Sequence, residues 1–225
     1  MSDVAAHYSG PGELITAIRA AFNSAGVGIV GVPTSALAPV DEFHIRGRAA
    51  TLEIAEALHA RADSHVLDLG SGLGGPARTL AEVMGCRVTG VDLTPEFCSV
   101  ASELSRWTGL ADRTHFEVGD VTALAYPPAS FDAAMTMHVA MNIANKSAMY
   151  REARRVVKPG GRFVIYDVLQ GPAGEVHYPV PWAREPAHSH LATTEQMRSL
   201  LVGAGFTVIS EVDSSAASGD WFTTM

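Results

Sequence analysis

Three aspartates, Asp68, Asp92 and Asp120, each lie near the end of an apolar segment of strand length or directly after one. A carboxylate in that position can accept hydrogen bonds from hydroxyl or amino groups and can attract a cation. The carboxyl ends of parallel strands meet at one edge of a sheet, where ligands bind in open α/β folds. We therefore expect the three side chains to face one ligand.

A glycine-rich turn follows the first of these segments. Gly70, Gly72 and Gly75 satisfy the pattern GxGxxG, which lets the backbone after a strand turn tightly and approach a ligand at a helix N-terminus. The pattern also fits nicotinamide and flavin cofactors, and a plain strand-to-helix turn is the alternative for the glycines alone.

Asp68 separates these ligands by charge, because its carboxylate precedes the first glycine by two residues. A pyrophosphate would be repelled there, whereas a ligand with an ammonium and a sulfonium group would be attracted. S-adenosylmethionine carries both cations, so the sequence favours it over NAD.

The other two aspartates suit the remaining parts of such a ligand. Asp92 ends the second strand, where a carboxylate can accept hydrogen bonds from both ribose hydroxyls, the alternative being a surface or helix-capping acid. Asp120 can accept from the adenine amino group while the amide of Val121 faces the ring, although Asp120 alone would equally fit a turn. The combination of three acids and the glycine turn is the evidence for the site.

His138 follows the fourth predicted strand, in the segment MHVAMNI, so we expect it beside the place where a methyl group leaves sulfur. An imidazole can take a proton from an amine, a phenol or an acidic carbon as that group is methylated. The alternative is that His138 only orients the cofactor or packs against it. His188 and His190 have no third ligand nearby, so we expect no metal site.

The elements that must position these residues follow a regular order. Apolar runs of strand length alternate with helical patterns from residue 65 onward, which predicts an α/β fold with a doubly wound, mostly parallel, Rossmann-like sheet. The predicted strands are 65–69, 87–91, 114–118, 131–137, 162–169 and 207–212. The predicted helices are 13–25, 49–60, 76–84, 95–107, 146–157 and one that a Thr193–Gln196 capping box opens and that runs to residue 202.

Composition narrows the class of protein. The 225 residues are 47% hydrophobic and 18% charged, as in a globular domain. A formal net charge of -8, without a run of Lys or Arg, argues against nucleic acid and membranes as partners. Two cysteines and an N-terminal segment without an apolar stretch favour a cytoplasmic protein.

Four motifs, VLDLGSGLGG (66–75), GVDLT (90–94), GDV (119–121) and KPGG (158–161), occur in this order. In these motifs the chain resembles the class I S-adenosylmethionine-dependent methyltransferases, over about residues 41–213. The resemblance is greatest to the small-molecule branch with quinone C-methyltransferases and sarcosine or dimethylglycine N-methyltransferases. Two departures are a seventh, antiparallel strand that is not legible after residue 213, and Asn145 where aspartate is common.

The resemblance implies S-adenosylmethionine as the cofactor, S-adenosylhomocysteine as the product, and a set of binding residues. Asp68 and the glycines would hold the methionine end, Asp92 the ribose, and Asp120 with Val121 the adenine. The cofactor-binding residues implied in this way are Asp68, Gly70, Ser71, Gly72, Gly75, Asp92, Leu93, Asp120, Val121 and His138.

An acceptor pocket would need residues from outside the core motifs. Residues 43–47 belong to a segment that folds over the cofactor in the resembling proteins, and Arg46 could bind a carboxylate there; the alternatives are a solvated cap for Arg46 and a core anchor for Phe43. The long loop 170–192 is rich in aromatic residues, prolines and histidines and is interpreted as a lid. The acceptor-site candidates are Tyr8, Phe43, Arg46, Met141, Tyr178 and Trp182.

The sequence therefore predicts one methyltransferase domain over residues 1–225, which moves a methyl group to a small-molecule acceptor by in-line displacement, with nitrogen or oxygen preferred over carbon. Its parts are a helical cap (1–60), a cofactor-binding core (61–169), the lid loop (170–192) and a C-terminal helix and strand (193–225). The alternatives are a sensor or partner subunit that binds S-adenosylmethionine without turnover and, third, an NAD-dependent oxidoreductase. An open sheet edge, left without the seventh strand, would favour a homodimer.

Overall fold

A computed structural model describes residues 12–172 and 174–224. At its centre lies a five-stranded parallel sheet with helices packed on both faces, which confirms the predicted doubly wound α/β class. The strands are β1 (His65–Leu69), β2 (Arg87–Asp92), β3 (Thr114–Val118), β4 (Phe131–Met137) and β5 (Val157–Tyr166).

The helices include one in the N-terminal half that the sequence did not indicate. The segment before residue 41 looks like a Gly/Pro-rich connection, yet Leu37 is fully buried and anchors a short helix that contains Pro39. The helices are α1 (Glu13–Ser24), α2 (Thr34–Asp41), α3 (Gly47–Leu58), α4 (Gly75–Met84), α5 (Pro95–Trp107), α6 (Lys146–Val156), α7 (Thr194–Gly203) and α8 (Ser215–Thr224). Within the described residues, none of these helices is long and apolar enough to cross a bilayer.

The strand order β3-β2-β1-β4-β5 places β1 at the centre of the sheet. In the register, Asp68 lies opposite Gly90 on β2 and opposite Met135 on β4. Because all pairs are parallel, the carboxyl ends of the five strands lie at one edge. The predicted ligand-binding residues of the core therefore share that edge.

Both faces of β1 are covered, which explains its near-continuous apolar sequence. Val66 packs in a cluster with residues of α3 and α4, and Leu67 and Leu69 pack on the opposite face with residues of α6. Successive side chains of a strand point to opposite faces, so this alternation is expected. The central strand therefore gives the site a rigid base.

The fifth strand begins earlier and ends earlier than predicted. β5 covers Val157–Tyr166, with a register shift between Phe131 and Ala133 of β4. Gly160 has a φ of 79° in this stretch, a left-handed conformation that glycine adopts without strain. The KPGG motif thus lies inside an irregular start of β5 and not in a loop before it.

The predicted sixth strand is wrong in the described part of the chain. Residues 206–214 have no regular structure, and the side chains of Ile209 and Val212 are 73% and 85% exposed. An alternating apolar pattern forms a strand only beside another strand, and none of the described residues pairs with the outer edge of β5. Instead Glu211 forms an ion pair with Arg198 of α7 at 2.6 Å.

Candidate active site

The glycine loop after β1 is held by the neighbouring strand. The amides of Gly70 and Ser71 donate to the Val91 carbonyl at 2.8 and 3.1 Å. Gly70 has a φ of 80°, and a Cβ there would lie 2.3 Å from Cγ2 of Val139, so only glycine fits. A Cβ on Gly75 would lie 2.3 Å from the Asp41 carbonyl oxygen, so the end of α2 packs directly on the start of α4.

Asp68 is a buried carboxylate with an unsatisfied oxygen. Its side chain has no hydrogen-bond partner at Oδ2 among the described residues, and the nearby buried hydroxyl of Ser71 also has none. Burial, with a smaller contribution from the charge of Asp92, raises the pKa of Asp68 to about 7. A buried acceptor without a partner is costly, so this pair fits a ligand that brings a hydrogen-bond donor or a cation.

Asp92 ends β2 and ties two backbone segments together. Its Oδ2 accepts a hydrogen bond from the Gly72 amide at 2.9 Å, and its Oδ1 accepts from the Thr94 amide at 2.9 Å. Thr94 occupies the N-cap position of α5 as predicted, but its side chain makes no capping bond. Each carboxylate oxygen has a second lone pair, so Asp92 can hold the loop and also accept from a ligand.

Two exposed apolar side chains lie near the ends of β2 and β3. Leu93 is 55% exposed and Val118 is 56% exposed, while Val121 is buried. The Oδ1 atom of Asp120 accepts from the Thr122 amide at 2.8 Å and from its hydroxyl at 2.7 Å, which is a turn-forming role. The two exposed apolar side chains suit contact with a flat ring such as that of adenine.

His138 directly follows β4 and has a φ of 55°, an uncommon conformation for a non-glycine residue. Its amide donates to the Tyr166 carbonyl at 2.8 Å, and its ring stacks on the Tyr166 ring with 5.2 Å between centroids. Burial, with a further contribution from His44, lowers the pKa of His138 to about 4. The imidazole is therefore neutral at physiological pH.

Two site residues, His44 and Tyr166, were not singled out in the sequence. The His44 ring lies 6.1 Å from the His138 ring and 6.3 Å from the Tyr166 ring, so three rings meet at the carboxyl ends of β4 and β5. Tyr166 is the last residue of β5, but the predicted strand ran to residue 169, so the strand-end rule that indicated Asp92 did not indicate it. His44 comes from the turn between α2 and α3, whose position no local pattern reveals.

The predicted acceptor residues divide into four groups. Arg46 forms a bidentate ion pair with Glu53 and lies close enough to Tyr166 to interact with its hydroxyl. Phe43 is 88% exposed, so it is not a core anchor in this structure, and nothing places it with the rings. Tyr8 lies outside the described residues. Met141, Tyr178 and Trp182 belong to the lid and its support.

The loop 170–192 is closed at its base and fastened to the residues after β4. The Gln170 amide donates to the Ala192 carbonyl at 2.9 Å. The Asn142 side chain donates to the carbonyls of Trp182 and His188 at 2.8 and 2.9 Å. Because Asn142 lies in a 3-10 turn only four residues after His138, the lid and the ring cluster share one support.

Met141 connects the lid to Asp167, the residue after β5, through two hydrogen bonds. The buried Met141 accepts at its carbonyl from the His190 amide at 2.7 Å and donates its own amide to Oδ2 of Asp167 at 3.0 Å. Burial raises the pKa of Asp167 to about 7, although amide donors and Lys146 oppose the rise. Asn145, the departure from the expected aspartate, caps α6 by accepting from the Ala148 amide at 3.1 Å.

The sequence profile of the family described as "Methyltransferase domain" matches residues 67–165. The chain carries a class I S-adenosylmethionine-dependent methyltransferase domain. The matched residues hold the glycine loop, Asp92, Asp120 and His138. S-adenosylmethionine is therefore the cofactor of this domain, and the unsatisfied Asp68 oxygen and exposed Leu93 fit its cationic and adenine parts.

Relatives with assigned activities match the methyltransferase domain over part of their length. The chain is 31% identical to the 2-methyl-6-phytyl-1,4-hydroquinone methyltransferase of Synechocystis over 165 residues, which are 69% of this chain and 49% of that protein. It is 36% identical to the sterol 24-C-methyltransferase ERG6B of Gibberella zeae over 104 residues, 46% of this chain and 27% of that protein. The chain thus spans about a quarter to a half of these relatives.

Among solved structures, the [4+2]-cyclase SpnF is similar at a TM-score of 0.69 with 28% sequence identity. The match covers 78% of this chain and 63% of that chain. The methyltransferase fold is thus shared with a protein whose structure is described as a cyclase.

Proposed function

We propose that this protein transfers the methyl group of S-adenosylmethionine to a small-molecule acceptor. The observation that carries the proposal is the shared edge of the sheet, which holds the unsatisfied Asp68 carboxylate near the end of β1, the glycine loop bound by Asp92 of β2, and His138 directly after β4. Bound S-adenosylmethionine supplies an electrophilic methyl group on a sulfonium sulfur. The ring cluster at that edge provides neutral imidazoles next to the position for an acceptor.

The protein contributes positioning, desolvation and proton acceptance. In-line displacement turns a cation and a neutral nucleophile into neutral products and one proton, so orientation and exclusion of water supply much of the acceleration. The lid, fastened to Asn142 four residues after His138, fits that requirement. His138 is either the proton acceptor or a residue that orients the reactants, as the sequence left open.

The acceptor atom is part of the same proposal. We favour nitrogen or oxygen, because a neutral imidazole suits an amine or a phenol that loses a proton as it is methylated. The relatives include a protein named for methylation at sterol carbon 24, so carbon acceptors belong in the same screen. A net charge of -8 supports a small molecule over a nucleic acid.

Calorimetric titration with S-adenosylmethionine tests the cofactor site without knowledge of the acceptor. Leu93→Glu places a charge on the proposed adenine position at an exposed side chain, so we expect at least a tenfold weaker affinity with an unchanged melting temperature. Val202→Glu is the matched control, since Val202 is 57% exposed on α7. Equal affinity of wild type and Leu93→Glu would contradict the assigned adenine position, and titration with NAD tests the remaining alternative.

A second candidate function is binding of S-adenosylmethionine without methyl transfer. The observation that favours it is the similarity to a structure described as a cyclase. Release of S-adenosylhomocysteine in the presence of amines, phenols and hydroquinones separates the two. Binding of S-adenosylmethionine without any such release across the screen would favour the second candidate.

A further inference from the structure

The hydrogen bonds of His44 define which of its nitrogens carries the proton. Nε2 lies 2.9 Å from the Gly47 carbonyl oxygen, which can only accept, so Nε2 must be the N–H. The Thr51 hydroxyl lies 3.1 Å from the same nitrogen and gives its own hydrogen to Oε2 of Glu42 at 2.5 Å. Both partners therefore accept from Nε2, and Nδ1 keeps a free lone pair.

The free nitrogen has no competing partner in the described part of the chain, because both hydrogen bonds of the His44 ring involve Nε2. Burial lowers the pKa of His44, while the Glu42 carboxylate acts in the opposite direction. The ring is thus neutral and in a fixed tautomer. The other titratable groups around it are His138 and Tyr166, in ring contact, and Arg48, which pairs with Glu42.

A buried network holds this ring in place relative to the cofactor loop. Oε1 of Glu42 accepts from the Thr79 hydroxyl of α4 at 2.8 Å. One residue earlier, Asp41 forms an ion pair with the fully buried Arg78 of α4 at 2.6 Å. Because α4 begins at the glycine loop, the turn that carries His44 is anchored to the element that carries the cofactor site.

His138 is less well prepared to take a proton. None of the described residues donates to or accepts from its ring nitrogens, so no hydrogen bond fixes its tautomer, and its pKa is about 4. By contrast, the Thr51 hydroxyl orients the His44 ring, and the Glu42 carboxylate in turn holds that hydroxyl. A base held by a second group, which is held by a third, is typical of an active site.

We infer that Nδ1 of His44 takes the proton of the methyl acceptor, with Thr51 and Glu42 as positioning residues. As the carbon–sulfur bond breaks and the bond from carbon to the acceptor nitrogen or oxygen forms, the proton of that atom moves to Nδ1. The imidazolium then returns it to solvent. The inference rests on the proposed function and assigns its proton acceptor to a residue outside the motifs.

The test uses NMR titration of His44 in the full chain, assigned by its loss in His44→Gln, with S-adenosylmethionine and S-adenosylhomocysteine as the two ligands. A sulfonium near Nδ1 disfavours the imidazolium, so the proton affinity of His44 should be about tenfold lower with S-adenosylmethionine than with S-adenosylhomocysteine. Long-range nitrogen spectra should show hydrogen on Nε2. Thr51→Val, which removes the hydroxyl, should reduce that tautomer preference.

Three outcomes decide the matter. Hydrogen on Nδ1, or equal proton affinity with the two ligands, overturns the role of His44 while the proposed function stands. Absence of S-adenosylmethionine binding in calorimetry overturns the proposed function itself and the inference with it. Where the screen yields an acceptor, His44→Gln should lower kcat about a hundredfold and leave the affinity for S-adenosylmethionine unchanged.

Discussion

Two residues of the cofactor site are constrained by their surroundings, one by a steric contact and the other by the burial of its carboxylate. Gly70 faces Val139 at a distance that no Cβ tolerates, and Asp68 keeps a carboxylate oxygen without a partner. The first feature constrains the backbone and the second costs stability in the unliganded protein. Each yields a prediction that needs no acceptor.

Gly70→Ala should destabilise the fold by about 2–4 kcal/mol, because it adds a clash to a left-handed backbone. Gly160→Ala is the matched control: its φ of 79° equals that of Gly70 within a degree, and its Cβ would meet open space. Denaturant unfolding of both variants separates the clash from the backbone strain, which alone costs about 1–2 kcal/mol. Equal losses would show that Val139 moves aside.

Asp68→Asn should raise the stability of the unliganded protein at pH 8 and raise it by a smaller amount at pH 5. The folded-state pKa of about 7 lies above the ordinary 3.8. The folded protein therefore keeps a proton that the unfolded chain has lost, and stability falls as the pH rises through that window. Melting temperatures at the two pH values measure the difference.

The exposed Asp63→Asn is the control for this pH dependence, since the Asp63 side chain is 75% exposed. Asp167, whose pKa is also about 7, contributes equally to wild type and variant. A variant that loses stability at both pH values would mean that Asp68 makes a stabilising contact as a carboxylate.

At the scale of elements, one amide side chain makes two of the hydrogen bonds that fasten the lid. Asn142→Ala removes both donors to the carbonyls of Trp182 and His188, so we expect the lid to open and trypsin to cut faster after the exposed Arg184. We expect a severalfold increase in the rate, followed by mass spectrometry of the fragments.

Asn145→Ala is the control for the lid, because it removes the cap of α6 at a cost of about 1 kcal/mol and leaves the lid contacts intact. Protection by S-adenosylmethionine would connect the lid to the cofactor. The same rate of cleavage in wild type and Asn142→Ala would mean that the remaining contacts, such as that between His190 and Met141, suffice to hold the lid.

The sequence predicted those elements whose signals are local. The bounds of β1 and β4 and the Thr193 capping box were predicted correctly, because apolar runs and capping patterns lie within a few residues. The strand at 207–212 was wrong and α2 was missed, because a strand needs a neighbour and α2 is held by tertiary packing of Leu37. His44 was not singled out for a related reason, since its ring neighbours His138 and Tyr166 come from distant parts of the chain.

At the scale of the whole molecule, no strand among the described residues pairs with the outer edge of β5. An open edge is a template for pairing, and a homodimer stays a prediction. Sedimentation velocity over a hundredfold range of concentration measures it, with a concentration-dependent shift expected for a dimer. A single monomer boundary throughout the range would show that this edge is not used between copies.

The two hydrogen bonds that Asp92 accepts from the amides of Gly72 and Thr94 have a consequence for how such a chain can change over generations. Even an isosteric Asp92→Asn would turn an amide group toward a backbone N–H, so the loop itself penalises the change. Selection for folding alone would retain this aspartate in a descendant that had ceased to bind S-adenosylmethionine. The exposed Leu93, which the fold does not need, would drift first.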